Sequence, residues 1–240
     1  MFEKRTIEVC YSPKLFELYN HKEHIVVVID VLRATSSICM AFHHGVDHIV
    51  PVSTIEESKS LRQAGYLVGA ERHGEMIEGF DFGNSPFSYM DARIKGTKIA
   101  LTTTNGTQAI NVAKHAYQVV IGSFLNLGAL CDWLSKQDRD VVCLCAGWQN
   151  KFNLEDTLLA GAIVHNLKRF FEFTADCDSA IGAEHLYELA KEDLFSFLEN
   201  SSHRKRLARL HIEKDIEFCL KPDQTTVIPV LKDGRLVKAF

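Results

Sequence analysis

An acid, an arginine and three hydroxyls stand together at the end of an apolar run, Val26-Val-Val-Ile-Asp30-Val-Leu-Arg33-Ala-Thr35-Ser36-Ser37. An aspartate there can hold a hard cation, and an arginine can grip phosphate or carboxylate through two parallel N–H donors. Hydroxyls at a helix start add donors for an anion. A second group, Thr102-Thr103-Thr104-Asn105-Gly106-Thr107, has the makeup of an anion cradle, since glycine lets the backbone approach a ligand and threonines supply hydroxyls. It is not a nucleotide-binding loop, because no Gly-x-x-x-x-Gly-Lys-Ser/Thr occurs. Five acids, Asp30, Glu71, Asp81, Glu155 and Asp156, fall in or beside turns. Oxygen donors without a His-x-x-His pair or a cysteine set favour Mg2+ over zinc or iron. A plainer reading stands beside this one: Asp30 and its hydroxyls cap a helix, and Arg33 and Arg72 are locked in ion pairs.

Spacing excludes two phosphatase chemistries. A haloacid-dehalogenase site needs Asp-x-Asp after a strand, and Leu32 stands two residues after Asp30. A cysteine phosphatase needs Cys-x5-Arg, and Lys151 stands six residues after Cys145. Metal-assisted attack of water on phosphate remains, with arginine offsetting the phosphate's charge. Two rivals use some of the same residues. One is an isochorismatase-like cysteine hydrolase in which Asp30 and Lys98 activate Cys145. The other is a module that binds a phosphorylated metabolite without hydrolysing it.

The elements that must position these groups alternate along the chain. Strands are expected at Thr6 to Cys10, Ile25 to Ile29, His48 to Val52, Tyr66 to Ala70, Lys98 to Leu101, Gln118 to Ile121 and Val141 to Cys145. Helices follow over Ala34 to His44, from a Ser53–Glu56 capping box to Ala64, over Gln108 to His115, Leu127 to Lys136, and from an Asn153 cap to Phe171. Val26 to Ile29, β-branched throughout, fits a strand buried on both faces, which puts Asp30 at the carboxyl edge where open α/β sheets bind ligands. The region 179 to 219 is helical in pattern and is the candidate for a subsidiary lobe of an otherwise single domain, 1–240. Thr225 to Leu231, the turn Asp233-Gly234 and Arg235 to Ala239 form a β-hairpin, expected at an antiparallel edge. The fold class is α/β: a three-layer α/β/α domain with a mixed, mostly parallel sheet and a C-terminal β-hairpin.

The chain has 240 residues, 46% of them apolar, enough for a full core. A net charge of −4 gives no field for nucleic acid, and the short His203-Arg-Lys-Arg206 patch reads as a solvated helix face. No stretch approaches the ~20 apolar residues of a membrane span and the start lacks an apolar leader, so a cytoplasmic location is expected. Seven cysteines, without a Cys-x-x-Cys pair, read as small core residues. The partner is a small phosphorylated acid, and a homodimer is left open.

Five blocks together resemble the 2-phosphosulfolactate phosphatases of coenzyme M biosynthesis: Val-Ile-Asp30-Val-Leu-Arg33-Ala-Thr35-Ser36, Gly69-Ala-Glu71-Arg72, Gly79-Phe-Asp81-Phe-Gly83-Asn84-Ser85-Pro86, Thr102 to Thr107, and Glu155-Asp156 with Ala160-Gly161. A weaker echo runs from Asp215-Ile216 to Cys219. The resemblance implies a Mg2+-dependent phosphatase that converts 2-phospho-3-sulfolactate to 3-sulfolactate. It implies Asp30, Glu71 and Asp81 near a metal, with Glu155 and Asp156 as further acids of the site. Near the phosphate it implies Arg33, Arg72 and the Thr102 to Thr107 turn, that is Thr103, Thr104, Asn105, Gly106 and Thr107; the helix-start hydroxyls of Thr35 and Ser36 are further candidates for the anion by their position. A sulfonate and a carboxylate beside the phosphate need further cations, for which Arg33, Arg72 and Lys151 are candidates.

Overall fold

A computed structural model gives the structure of the chain, described here over residues 5–19, 22–72 and 74–240. His73 of the long loop and most of the amino-terminal segment fall outside that range. In chain order the elements are β1 (Arg5–Cys10), β2 (Ile25–Ile29), α1 (Ala34–His43), β3 (His48–Pro51), α2 (Ile55–Gln63), β4 (Leu67–Arg72), β5 (Glu75–Met76), β6 (Lys98–Thr102), α3 (Gly106–Ala113), β7 (Gln118–Gly122), α4 (Leu127–Ser135) and β8 (Val141–Cys145). They continue with α5 (Leu154–Phe170), β9 (Phe173–Thr174), α6 (Asp178–Ala190), α7 (Leu194–Phe197), α8 (Ser202–Leu207), α9 (Glu213–Cys219), β10 (Pro229–Lys232) and β11 (Arg235–Lys238). Most boundaries fall within a residue or two of the sequence expectation. The capping box of α2 is shifted by one, to Thr54 and Glu57.

β2 shows how a run of β-branched residues organises the molecule. Every residue of it is buried. Ile25, Val27 and Ile29 face one cluster with Leu130 of α4 and Leu158 of α5. Val26 and Val28 face another with Ile38 of α1 and Ile110 of α3. Side chains alternate across a strand, so this split places helices on both faces of the sheet. From the region 179 to 219, the candidate for a subsidiary lobe, Ala183 of α6, Leu207 of α8 and Ile216 of α9 belong to the same cluster as β2. α6 lies so close to α5 that a Cβ on Gly161 would stand 2.0 Å from the Ala183 carbonyl oxygen.

The strand order is β5-β4-β6-β3-β11-β10-β7-β2-β8-β1-β9. The C-terminal hairpin forms as expected, yet its place corrects the expectation of an edge. β10 pairs antiparallel with β7 and β11 antiparallel with β3, so the hairpin joins two parallel groups in the sheet's interior. An alternating apolar pattern specifies a half-buried hairpin but not its neighbours, which tertiary packing chooses. The parallel group β4-β6-β3 therefore runs opposite to β7-β2-β8-β1. Twist of roughly 20–25° at each strand step, accumulated from β2 to β6, turns one group back toward the other. Their carboxyl ends meet: a Cβ on Gly106, after β6, would lie 3.0 Å from Asp30 Oδ2, after β2.

Candidate active site

At this meeting point lies a cavity of about 230 Å³, lined by Asp30, Arg33, Glu71, Asn84, Thr104, Asn105 and Trp148, and closed by His203, Lys205, Arg206 and Arg209 from α8 and the turn after it. The volume suits a small metabolite rather than a drug-sized ligand. Four sheet-to-helix or strand-end turns contribute, as the alternating pattern requires. Three members of the basic patch expected to be a solvated face, His203, Lys205 and Arg206, instead line the site, on the helix whose Leu207 is buried in the core, while Arg204 packs on the Phe195 ring.

The acids are unevenly placed. Asp30 and Glu71 line the cavity and are each 8% exposed, while Glu155 and Asp156 are wholly buried behind it in the first turn of α5. Burial pushes the Asp30 carboxyl up to about 7, with the charges of Glu71 and Glu155 adding to the effect and His203 opposing it. Asp156 is also raised, by burial first and by Asp30 next. Its Oδ1 accepts from Val31 N at 2.8 Å, and its Oδ2 from Gly147 N at 3.1 Å and Asn153 Nδ2 at 2.9 Å. Asp156 thus ties the loops after β2 and β8 together. Asn153 stands at the N-cap of α5 as expected, but its side chain makes no capping bond to the helix backbone: its amide donates to Glu155 and Asp156. Glu155 Oε1 is bonded to His203 Nδ1, which anchors α8 to α5. Glu155 Oε2, Asn84 Oδ1 and Asn153 Oδ1 are buried with no hydrogen-bond partner among the described residues. Asp81 is not brought to the cavity: its Oδ2 accepts from Val68 N at 2.8 Å and from Arg62 Nη2 at 3.0 Å.

Several residues expected at a phosphate are occupied by the fold. Thr35 Oγ1 donates to the Asp30 carbonyl and accepts from its N–H, and Ser36 Oγ donates to the Val31 carbonyl. These hydroxyls brace the turn between β2 and α1 and do not cap the helix, whose N-cap position is Arg33 with no side-chain cap bond. Thr103 and Thr107 bond each other's backbone across the start of α3. Only Thr104 and Asn105 of that turn line the cavity, with Gly106 packed beneath them against Asp30 and Ala34. Arg33 lines it too, but its Nη1 donates to Asp215 Oδ2 at 2.6 Å and its Nη2 to the Gly74 carbonyl at 2.6 Å. Asp215, which belongs to the weaker sequence echo, also accepts from Ser85 Oγ at 3.1 Å. Arg72 borders a separate surface depression with Glu75 and Arg209, and Lys151 is exposed outside the cavity.

Trp148, His203, Lys205 and Arg206 are site residues that sequence reasoning missed. The three from α8 had the basic patch as their sole signal, whose direction no local pattern reveals, and Trp148 had none. Cys145, the nucleophile of the rival hydrolase, is fully buried in the core, and burial followed by the charge of Asp156 holds its thiol well above the ordinary value. Lys98 lies at the amino end of β6, away from the turn that lines the cavity, with its ammonium over the Tyr66 ring. Those residues form no nucleophile–base pair.

Residues 10–234 match the family model described as 2-phosphosulpholactate phosphatase. Three relatives, each described as a probable 2-phosphosulfolactate phosphatase, align over most of their length. One from Thermotoga petrophila is 44% identical over 87% of this chain and 89% of its own. One from Caldanaerobacter subterraneus subsp. tengcongensis is 39% identical over 91% and 95%. One from Clostridium acetobutylicum is 36% identical over 90% and 93%.

Proposed function

The chain belongs to the 2-phosphosulfolactate phosphatase family, and from that premise we propose that it hydrolyses 2-phospho-3-sulfolactate to 3-sulfolactate and inorganic phosphate, with Mg2+, as a step of coenzyme M biosynthesis. The observation that carries this reading is one small cavity at the meeting strand ends that combines buried carboxylates with a row of cations. In the reaction the oxygen of water forms a bond to phosphorus as the bond from phosphorus to the substrate's C2 oxygen breaks, and that oxygen leaves with a proton. Phosphoryl transfer of this kind demands positioning and charge compensation more than covalent chemistry from the protein.

The donor set fits a divalent cation. Asp30, Glu71 and Glu155 crowd negative charge where water is scarce, and Glu155 Oε2 and Asn84 Oδ1 have no partner among the described residues. No three of these acids, among the described residues, bring their ligand atoms within 4.8 Å of one another; that closeness is found only at His165, Glu184 and Glu188. Mg2+ is commonly held by one or two carboxylates with water and substrate oxygens completing its shell, so an open arrangement suits it. Asp30 and Glu71 would hold the ion from the cavity wall, with Glu155 and Asp156 behind. When bound, Mg2+ supplies charge neutralisation at the phosphoryl oxygens. Asp81 has no part in this reading, since Val68 and Arg62 hold its carboxylate.

Thr104 and Asn105 are the side chains placed to hold the phosphoryl group, and the Arg33 guanidinium, fixed by Asp215, offers a positive wall. Measuring phosphate release from synthetic 2-phospho-3-sulfolactate, with Mg2+ and with excess chelator, tests the reading. Metal-dependent release is expected. No release under either condition overturns the substrate assignment, and release unaffected by chelator overturns the metal.

A further inference from the structure

The cations of the cavity differ in what already binds them. Arg33 gives both terminal nitrogens to Asp215 and the Gly74 carbonyl. Arg206 does not. Its guanidinium carbon sits 4.3 Å above the Trp148 ring, its Nη1 donates to Ser202 Oγ at 3.2 Å, and its Nη2 is buried with no hydrogen-bond partner among the described residues. A desolvated, unpaired guanidinium nitrogen is costly in a folded protein. Its proton affinity is correspondingly lowered, by burial first. The stack on Trp148 fixes the plane of the guanidinium, which spares entropy when an oxyanion is bound. α8 itself is pinned at its start, where Ser201 caps it and His203 is bonded to Glu155. Lys205 is exposed on the same cavity wall.

We propose that Arg206, stacked on Trp148 and helped by Lys205, is the specificity determinant of the cavity and binds a second oxyanion of the substrate, a sulfonate or carboxylate, apart from the phosphoryl group. This deepens the phosphatase reading and rests on it. The phosphoryl group takes the wall formed by Asp30, Thr104 and Asn105. The wall formed by α8 takes the acid that is not hydrolysed. A planar guanidinium with one open nitrogen suits such a group, and a phosphate monoester without a second acid leaves it unpaired.

Binding and turnover test this separately. Calorimetric titration of 3-sulfolactate, lactate and propane-1-sulfonate reads the subsite without any hydrolysis. Arg206→Gln is expected to weaken 3-sulfolactate binding about ten- to hundredfold, the effect of losing a charge-assisted pair. Whichever of lactate and the sulfonate loses affinity in parallel identifies the oxyanion recognised. Arg206→Lys, keeping charge but not the fork, should recover part of the loss. In turnover, the ratio of KM for isopropyl phosphate to KM for the acid-bearing substrate should collapse toward one in Arg206→Gln, while kcat for the acid-bearing substrate changes far less than its KM. Equal affinity of wild type and Arg206→Gln for 3-sulfolactate overturns the inference, as does equal loss on isopropyl phosphate and the acid-bearing substrate. Failure of the wild type to release phosphate while it binds 3-sulfolactate through Arg206 would instead sink the phosphatase reading alone.

Discussion

Asp30 sits where its charge is least welcome, buried beside the negative charges of Glu71 and Glu155. Replacing it with asparagine keeps the shape, and the variant should lose phosphate release by more than about a hundredfold while staying folded, as read by circular dichroism. Retained turnover would remove Asp30 from the chemistry. Its raised carboxyl also sets a pH dependence. The unfolded chain releases that proton near the ordinary value of 3.8, whereas the metal-free folded protein holds it to about 7. Between those values the folded state binds more protons, so this group's contribution to stability is present below 3.8 and is lost as pH rises through 7. Thermal melts in chelator should show that fall for the wild type and a flatter profile for Asp30→Asn. Arg33 and Asp215 illustrate the opposite case, a buried pair in which each member needs the other. Asp215→Ala leaves a buried guanidinium without its counter-ion and should cost about 3–5 kcal/mol in denaturant unfolding.

At the scale of elements, the helices after α5 decide whether the cavity is closed. α8 is held at the site by Leu207 in the core and by His203 on Glu155, and α6 before it is packed tightly on α5 at a contact that tolerates no side chain on Gly161. Gly161→Ala should therefore destabilise the protein by about 1–3 kcal/mol and also raise KM, since moving α6 moves the segment bearing His203, Lys205 and Arg206. Melting temperature and steady-state kinetics on the same sample check both effects; a normal KM with a lowered melting temperature would show that α8 is positioned independently of α6. The hairpin β10–β11 has a comparable role on the other side. It separates two parallel groups and sets the number of strand steps over which twist accumulates before the ends of β2 and β6 meet.

Across the whole molecule, a net charge of −4 coexists with a cavity whose rim carries Lys205, Arg206 and Arg209. A strongly anionic substrate is drawn to that rim against the overall charge, so kcat/KM should fall as the Debye length shrinks from about 30 Å at 0.01 M salt to about 8 Å at 0.15 M. A salt series at constant Mg2+ measures it, and a flat response would deny the rim a role in capture. Among the described residues no helix is long and apolar enough to cross a membrane. Local information in the chain was enough to set the alternating elements, the carboxyl-edge position of Asp30 and the turn that holds Thr104 and Asn105, because periodicity and turn chemistry act over a few residues. The five motif blocks carried the family in the same way. Only the tertiary structure placed the hairpin inside the sheet, gave Arg33 to Asp215, drew Asp81 to Arg62, and turned the basic patch of α8 from solvent onto the site. Each of these joins residues far apart in the chain, and what a charged side chain finally pairs with depends on which distant surface packs against it, a choice no local pattern contains.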